Sequence, residues 1–139
     1  MPDINIGHIS EALNNKADRD LSNISSTSSF RRLIEVYSNG TNWYKVFAEY
    51  NSTTGDLIGK WCEQGGKYYN NNTAISFLKP FANTNYSIIT QCTDSYPNDG
   101  IYQTCWTDKT TTGFIGWITY GNSLGSGVET DWYAFGYIL

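Results

Sequence analysis

The feature that most constrains this chain is a change in the period of its apolar residues near residue 29. Before that point, apolar residues recur at steps of three and four, which is typical of one face of a helix. After it, eight short segments alternate with period two, and each is bounded by Gly, Asn, Asp or Pro. With no helical segment between them, such a series predicts a mainly β fold, an antiparallel β-sandwich or compact barrel. We expect two parts, a helical segment with a hinge at 1–29 and a β domain at 30–139.

The predicted strands are bounded by turn residues along the whole β domain. They cover residues 33–37, 43–50, 57–64, 74–78, 86–93, 101–107, 113–120 and 132–139. Gly55-Asp56 predicts a hairpin turn between the second and third strands. The last strand has two apolar faces, so we expect it to be buried on both sides, either centrally in a sheet or against another subunit.

The helical segment carries a single narrow apolar row. It consists of Ile6, Ile9, Leu13, Ala17, Leu21 and Ile24. A helix of about 18 residues with so thin a row is marginal alone in water, so something else must cover it. Two covers remain open, a bundle of several copies and the chain's own β domain.

The charge and the N-terminal sequence argue against binding to nucleic acid or membranes and against secretion. The net charge is −4, so no cationic field is present to hold nucleic acid or an anionic membrane surface. We expect neither a secretory signal nor a membrane span, because the N-terminus lacks a basic and an apolar region and no apolar window approaches 18 residues. The odd count of three cysteines favours reduced thiols, with a Cys92–Cys105 bridge left open.

Enzyme signatures are nearly absent, and we predict no catalytic residues, no metal site and no cofactor. His8 is the only histidine, which excludes Ser/His, Cys/His and His-rich zinc sites. A carboxylate pair remains formally open, with Asp94 and Asp99 as the candidates. Both stand in TDSYPNDG, where turn formation is the simpler explanation.

Two glycine-containing stretches are interpreted as turns or loops. The stretch 63–66, EQGG, is expected to form a tight turn after a strand. The stretch 121–127, GNSLGSG, is expected to form a flexible loop, since no lysine or helix follows it as in a phosphate-binding loop.

Loop aromatics are the candidate binding residues. Sugar rings stack on Trp and Tyr, while Asn and Asp supply hydrogen bonds to hydroxyl groups. Aromatics reach 16% of the chain. The tyrosines that stand in or beside predicted loops are more than the core requires. The predicted ligand-binding residues are Tyr68, Tyr69, Tyr96, Asn98, Asp99, Tyr102, Trp106 and Tyr120.

Four stretches of the sequence carry a resemblance to a known family. NNKADRDLSNI at 14–24 resembles a segment found in many bacteriophage tail fibres. The elements WCEQGG at 61–66, FLKPFANTNY at 77–86 and WYAFGY at 132–137 are similar, in order and spacing, to the C-terminal receptor-binding tip domain of such fibres. Together they cover most of residues 41–139, whereas 93–127 matches nothing in the family.

The resemblance implies a homotrimeric β-sandwich at a fibre tip, part of the virion and assembled in the cytoplasm of the bacterial host. Its partners would be two further copies of itself and a glycan or protein on the host surface, bound without covalent chemistry. The apolar row of the helix would then form the trimer interface. Two alternatives stay open, a structural tip that promotes fibre folding without a ligand and a small polysaccharide depolymerase.

Overall fold

The computed structural model describes residues 29–93, 102–121 and 123–139, with the side chain of Ser126 excepted. The helical segment, its apolar row and the residues Tyr96, Asn98 and Asp99 lie outside these ranges. Within them the chain forms strands and turns and no helix, so no described helix is long and apolar enough to cross a membrane. The prediction of a mainly β, antiparallel fold is confirmed.

Nine strands build the described part of the chain. They are β1 (Ser29–Ser38), β2 (Trp43–Asn51), β3 (Leu57–Asn70), β4 (Thr73–Ser76), β5 (Ser87–Cys92), β6 (Tyr102–Thr110), β7 (Gly113–Tyr120), β8 (Ser123–Leu124) and β9 (Ser126–Ile138). One antiparallel sheet has the order β1-β2-β3-β9-β5, and a second has the order β4-β7-β6 with β8 paired to β7. All eight predicted strands are present, and the two-residue β8 is the one that the sequence pattern did not indicate.

The core lies between the two sheets. The first sheet contributes Val46, Cys62 and Trp132, and the second contributes Phe114 and Ile118. Three further aromatics from the segment between β4 and β5 fill the centre, namely Phe77, Phe81 and Tyr86. Phe81 stacks on Tyr86 with ring centroids 4.2 Å apart, and Phe77 meets both rings edge-on. Two sheets packed over a shared aromatic core make the described part a β-sandwich.

Two turn predictions need correction and one is confirmed. Residues 63–66 form no tight turn but lie inside β3, because the alternation of buried and exposed residues continues to Tyr68. Residues 121–127 are not one flexible loop, since they contain β8 and the start of β9. The β2–β3 hairpin turns where predicted, with Gly55 at φ 74° and the Asn51 side chain accepting hydrogen bonds from two backbone amides.

The closing strand is central, but only one of its faces is fully covered. β9 lies between β3 and β5. Trp132 and Ala134 point into the core, whereas Tyr133 and Phe135 are half-buried and Tyr137 is 44% exposed on the face turned away from the second sheet. The central position of β9 is thus confirmed, its second face is only partly covered by described residues, and burial of that face against another subunit stays a prediction.

The two ends of the sandwich differ in what they carry. We call the end that contains the Ser29–Asn51 pair the near end, and the opposite end the far end. The described part of the chain begins at the near end. At the far end, Asn70 pairs with Ser126 and Cys92 pairs with Thr130. The pair Tyr102 and Tyr120 of the second sheet also lies at the far end, where β5 stops and β6 begins. The far end therefore lies opposite the Ser29–Asn51 pair, where the described part of the chain begins.

Candidate ligand-binding site

The outer face of the five-stranded sheet carries a row of aromatic side chains. Trp43 and Tyr133 have ring centroids 5.8 Å apart, and Tyr133 lies 5.3 Å from Phe135. The row continues through Trp61, which is 6.0 Å from Phe135 and 5.1 Å from Tyr137. Packing among themselves keeps most of these rings half-buried, although no second layer of described residues covers them. Ring faces and edges are therefore available at the surface in a fixed arrangement.

A glycine sets the position of the first ring in this row. Trp43 opens β2 and pairs with Gly65 of β3. A Cβ at Gly65 would lie 2.8 Å from Cζ2 of Trp43 and 2.8 Å from the carbonyl oxygen of Trp132. The indole can lie flat across β3, towards Tyr133, because Gly65 has no side chain.

The far half of this face contains a cleft of about 290 Å³. Its lining consists of Trp43, Gly66, Ile89, Gln91, Asp131, Trp132 and Tyr133. The size is at the lower end for ligand pockets, and the mixture of two rings, one amide and one carboxylate is typical of them. Burial and the nearby Glu63 raise the pKa of Tyr133 to about 12, so its phenol stays a neutral hydrogen-bonding group at physiological pH.

Charged groups form one rim of the cleft. Lys67 forms ion pairs with Glu129 and, at 3.0 Å, with Asp131. Tyr69 donates a hydrogen bond of 3.1 Å to Glu129. These hydrogen bonds, first from Lys67 and then from Tyr69, lower the pKa of the Glu129 carboxyl below its usual value. The rim is thus a fixed network with two carboxylates and one ammonium group, and its net charge is negative.

The described candidates from the loops divide into three groups. Tyr69 is 47% exposed and donates a hydrogen bond to Glu129 beside the cleft, but it does not line the cleft itself. Tyr68 is 3% exposed and belongs to the core, so its assignment as a surface binding residue is wrong. The alternation of β3 explains this, because neighbouring residues of a strand point to opposite faces.

The remaining described candidates lie on the second sheet. Tyr102 and Tyr120 face each other with ring centroids 4.9 Å apart and are half-buried. Trp106 is 39% exposed on β6, where the Lys109 ammonium lies 5.4 Å from its ring centre. These three side chains do not line the cleft.

Sequence analysis selected none of the seven residues that line the cleft. A signal for part of the set was present, since alternation in β9 places Asp131, Tyr133 and Phe135 on one face. Trp43 and Ile89 join them only through the register of β2, β3, β9 and β5, which pairs Trp43 with Gly65, Gly65 with Tyr133 and Tyr133 with Ile89. Such register is not encoded locally.

Metal and redox chemistry receive no structural support in this part of the chain. No cluster of three or more His, Cys, Asp or Glu residues that could hold a metal ion occurs among residues 29–93, 102–121 and 123–139. Cys62, Cys92 and Cys105 are free thiols, and burial raises the pKa of Cys62 to about 12.

Comparisons with known proteins give two similar solved structures. No family model matches the chain, and no curated protein matches it. A C-terminal fragment of the R2 pyocin fibre of P. aeruginosa is 18% identical over 88% of this chain and 29% of that one, with a TM-score of 0.49. An N-truncated R2-type pyocin tail fibre is 16% identical over 98% of this chain and 52% of that one, also with a TM-score of 0.49. The chain therefore spans about a third to a half of the fibre fragments to which it is similar.

Proposed function

We propose that this chain is the tip domain of a tail fibre in a virion, and that three copies attach the particle to a glycan on a bacterial surface. The cleft between Trp43 and Tyr133 is the observation that carries the proposal. It combines ring faces for the apolar side of a sugar with an amide and a carboxylate for its hydroxyl groups. It also lies towards the far end of the sandwich, away from the point where residues 1–28 join.

The charge of the rim favours a neutral glycan. Asp131 and Glu129 carry two negative charges against the one positive charge of Lys67. An acidic sugar at the same place would meet like charges, which is costly where water is partly excluded. We therefore propose neutral or amino-sugar units as the ligand, at single-site affinities from about millimolar to micromolar.

We also propose that attachment is binding without bond cleavage. A glycosidase needs one carboxyl group with a raised pKa to protonate the leaving group. Glu129, an acidic group at the rim, has a lowered pKa instead.

Binding of the full chain to a glycan array that contains neutral, amino-sugar and acidic glycans tests the proposal. Trp43→Ala should lower single-site affinity by about tenfold, because a stacking contact of this kind contributes on the order of 1 kcal/mol or more. Asp131→Asn should reduce binding of neutral glycans and lessen the discrimination against acidic ones, because it removes one of the two negative charges beside Lys67. Trp106→Ala, an exposed tryptophan of the second sheet, is the matched control and should bind like the wild type.

Each remaining outcome contradicts a specific part of the proposal. Loss of binding in Trp106→Ala together with retention in Trp43→Ala would move the site to the second sheet. Unchanged adsorption to host cells in all these variants would favour a structural tip without a ligand. Release of reducing ends from host polysaccharide would show a depolymerase.

A further inference from the structure

Ile89 is the part of the cleft that the proposed function leaves unused. Among the described residues that line the cleft it is the aliphatic one, and its side chain is 56% exposed on β5. It pairs across the strands with Tyr133, so the two side chains are neighbours on the outer face of the sheet. Hydroxyl groups gain nothing from an aliphatic neighbour, whereas a methyl group on the ligand would be removed from water there. The cleft therefore favours a sugar that carries an apolar substituent.

The register of the strands sorts the cleft into two rows. Trp43, Tyr133 and Ile89 form an apolar row across β2, β9 and β5. Asp131 and Gln91 pair with each other two residues further along β9 and β5, so they share the same face as a polar row. Two residues of a strand span roughly 7 Å, so one sugar can touch both rows. A substituent that reaches Ile89 therefore also lies beside Gln91.

The polar row offers both kinds of hydrogen-bonding group. The Gln91 side chain is exposed, and its amide can donate through Nε2 and accept through Oε1. Oδ1 of Asp131 lies 3.0 Å from Nζ of Lys67, and the second oxygen of a carboxylate can accept from a ligand. A ligand amide has the matching groups, an N–H that donates and a C=O that accepts. An acetamido group joins such an amide to a methyl group.

We propose that the cleft selects sugars that carry an acetamido group. The pyranose ring lies against Trp43 and Tyr133, and the acetyl methyl group lies against Ile89. The amide N–H donates to Asp131, and the amide C=O accepts a hydrogen bond from Gln91. This inference narrows the ligand of the proposed function and rests on that function, because it requires the cleft to bind glycans.

Two closely related sugars fit the cleft less well. A hexose with a hydroxyl group in the same place has neither a methyl group for Ile89 nor a C=O for Gln91. A sugar with a free amine carries a positive charge, and the ammonium group of Lys67 already pairs with both carboxylates of the rim. A second ammonium group would be repelled by the first and would compete for the same oxygens. The acetamido sugar is neutral and avoids both defects.

Titration of the full chain with single sugars tests the inference, because single sugars have no avidity that depends on association. The probes are methyl glycosides in two matched series, glucose, glucosamine and N-acetylglucosamine, and galactose, galactosamine and N-acetylgalactosamine. Within a series the sugars differ only in one substituent. In at least one series the acetamido sugar should bind about tenfold more tightly than the hexose and the amine, because it buries a methyl group and gains an amide hydrogen bond.

Two variants should remove the two contacts separately. Ile89→Ser should lower the affinity for the acetamido sugar by about fivefold and leave the affinity for the hexose within about twofold, since only the methyl contact is lost. Gln91→Leu should also lower the affinity for the acetamido sugar by about fivefold, because the amide C=O loses its donor. Ile58→Ser is the matched control, since Ile58 is 55% exposed on β3 and does not line the cleft, and it should keep the wild-type preference.

Methyl NMR gives a second measurement that does not depend on the affinity of the variants. The Ile89 methyl signal, assigned by its absence from Ile89→Ser, should shift when the acetamido sugar is added, whereas the Ile58 signal should not. Equal binding of the hexose or the amine, or an unshifted Ile89 signal, would overturn the inference. A preference that persists in both Ile89→Ser and Gln91→Leu would also overturn it.

The glycan array decides the result if none of the single sugars binds. Array binding confined to glycans with acetamido groups supports the inference. Array binding of glycans without them overturns the inference and leaves the proposed function standing. Absence of binding in both experiments overturns the proposed function as well.

Discussion

Gln64 shows how one buried polar side chain joins separate parts of this fold. It is fully buried on β3, and its amide nitrogen donates a hydrogen bond of 2.7 Å to the carbonyl oxygen of Lys79. Its amide oxygen accepts a hydrogen bond of 3.2 Å from the backbone N–H of the same residue. The backbone amides of Phe77 and Phe81 bond to carbonyl oxygens of residues 111–112. Lys79, between them, uses the Gln64 side chain as the partner of both its backbone groups.

The variant Gln64→Leu should lower the free energy of unfolding by about 2–3 kcal/mol, because two buried backbone groups lose their partner. Gln103→Leu, at an exposed position of β6, should change it by less than about 0.5 kcal/mol. Urea titrations at one protein concentration measure both values, since association makes the stability concentration-dependent. A similar small change in both variants would mean that water satisfies Lys79 in place of Gln64.

Predictions for single residues were correct where local geometry alone determines the structure. The turn at Gly55 and the faces of β9 were predicted because both follow from local geometry. Tyr68 was misassigned because β3 was predicted to end at residue 64. Two successive glycines gave the signal of a turn, yet neither has a positive φ and both are covered by tryptophan side chains.

Three of the sequence elements that resemble tail-fibre tips meet at one place in the fold. Gln64 of the first element bonds to Lys79 of the second. Gly136 of the third lies against Tyr86 of the second, where an added Cβ would be 2.5 Å from Cβ of Tyr86. The shared motif residues therefore act mainly in packing. Three of them, Gly66, Trp132 and Tyr133, also line the cleft, whose other residues are added by the register of β2, β9 and β5.

Two glycines of β3 provide a matched test of how the cleft is formed. Gly65→Ala should lower the free energy of unfolding by about 1–3 kcal/mol and weaken glycan binding, because its Cβ would meet Trp43 and Trp132 at 2.8 Å. Gly59→Ala adds a Cβ no closer than 3.4 Å to Tyr137 and should leave both quantities nearly unchanged. Denaturation and glycan titration measure them. Equal binding by the two variants would show that the position of Trp43 does not matter to the ligand.

Strand existence was predictable for this chain, whereas strand order was not. Period-two alternation marks each strand locally, but the pairing of β3 with β9 joins residues about 60–80 positions apart. The same limit applies to the surface features. The cleft needs four strands in register, and β1 is exposed because it lies at the edge of the sheet. Neither feature can be predicted from a short stretch of sequence.

At the scale of the whole molecule, the cleft lies towards the end of the sandwich opposite the Ser29–Asn51 pair. Under the proposed function, copies could therefore associate at the other end without covering their clefts. Three clefts in one such assembly would bind a surface glycan with an avidity about 10²–10⁴ above that of one cleft, because later contacts would be intramolecular.

Leu13→Asp tests whether association of copies and glycan binding are separate properties. Residue 13 belongs to the predicted helical segment, which lies outside the described residues. The change places one carboxylate per copy in the predicted apolar row and should weaken association, because uncompensated buried charges are costly. The intact cleft should keep its affinity for a soluble oligosaccharide within about twofold, whereas adsorption to whole cells should fall by about a hundredfold or more. Calorimetry with the oligosaccharide and a cell-adsorption assay at equal cleft concentration separate the two effects. A parallel fall in both would show that the cleft itself depends on assembly, and unchanged adsorption by a dissociated chain would show that a single cleft is enough for attachment.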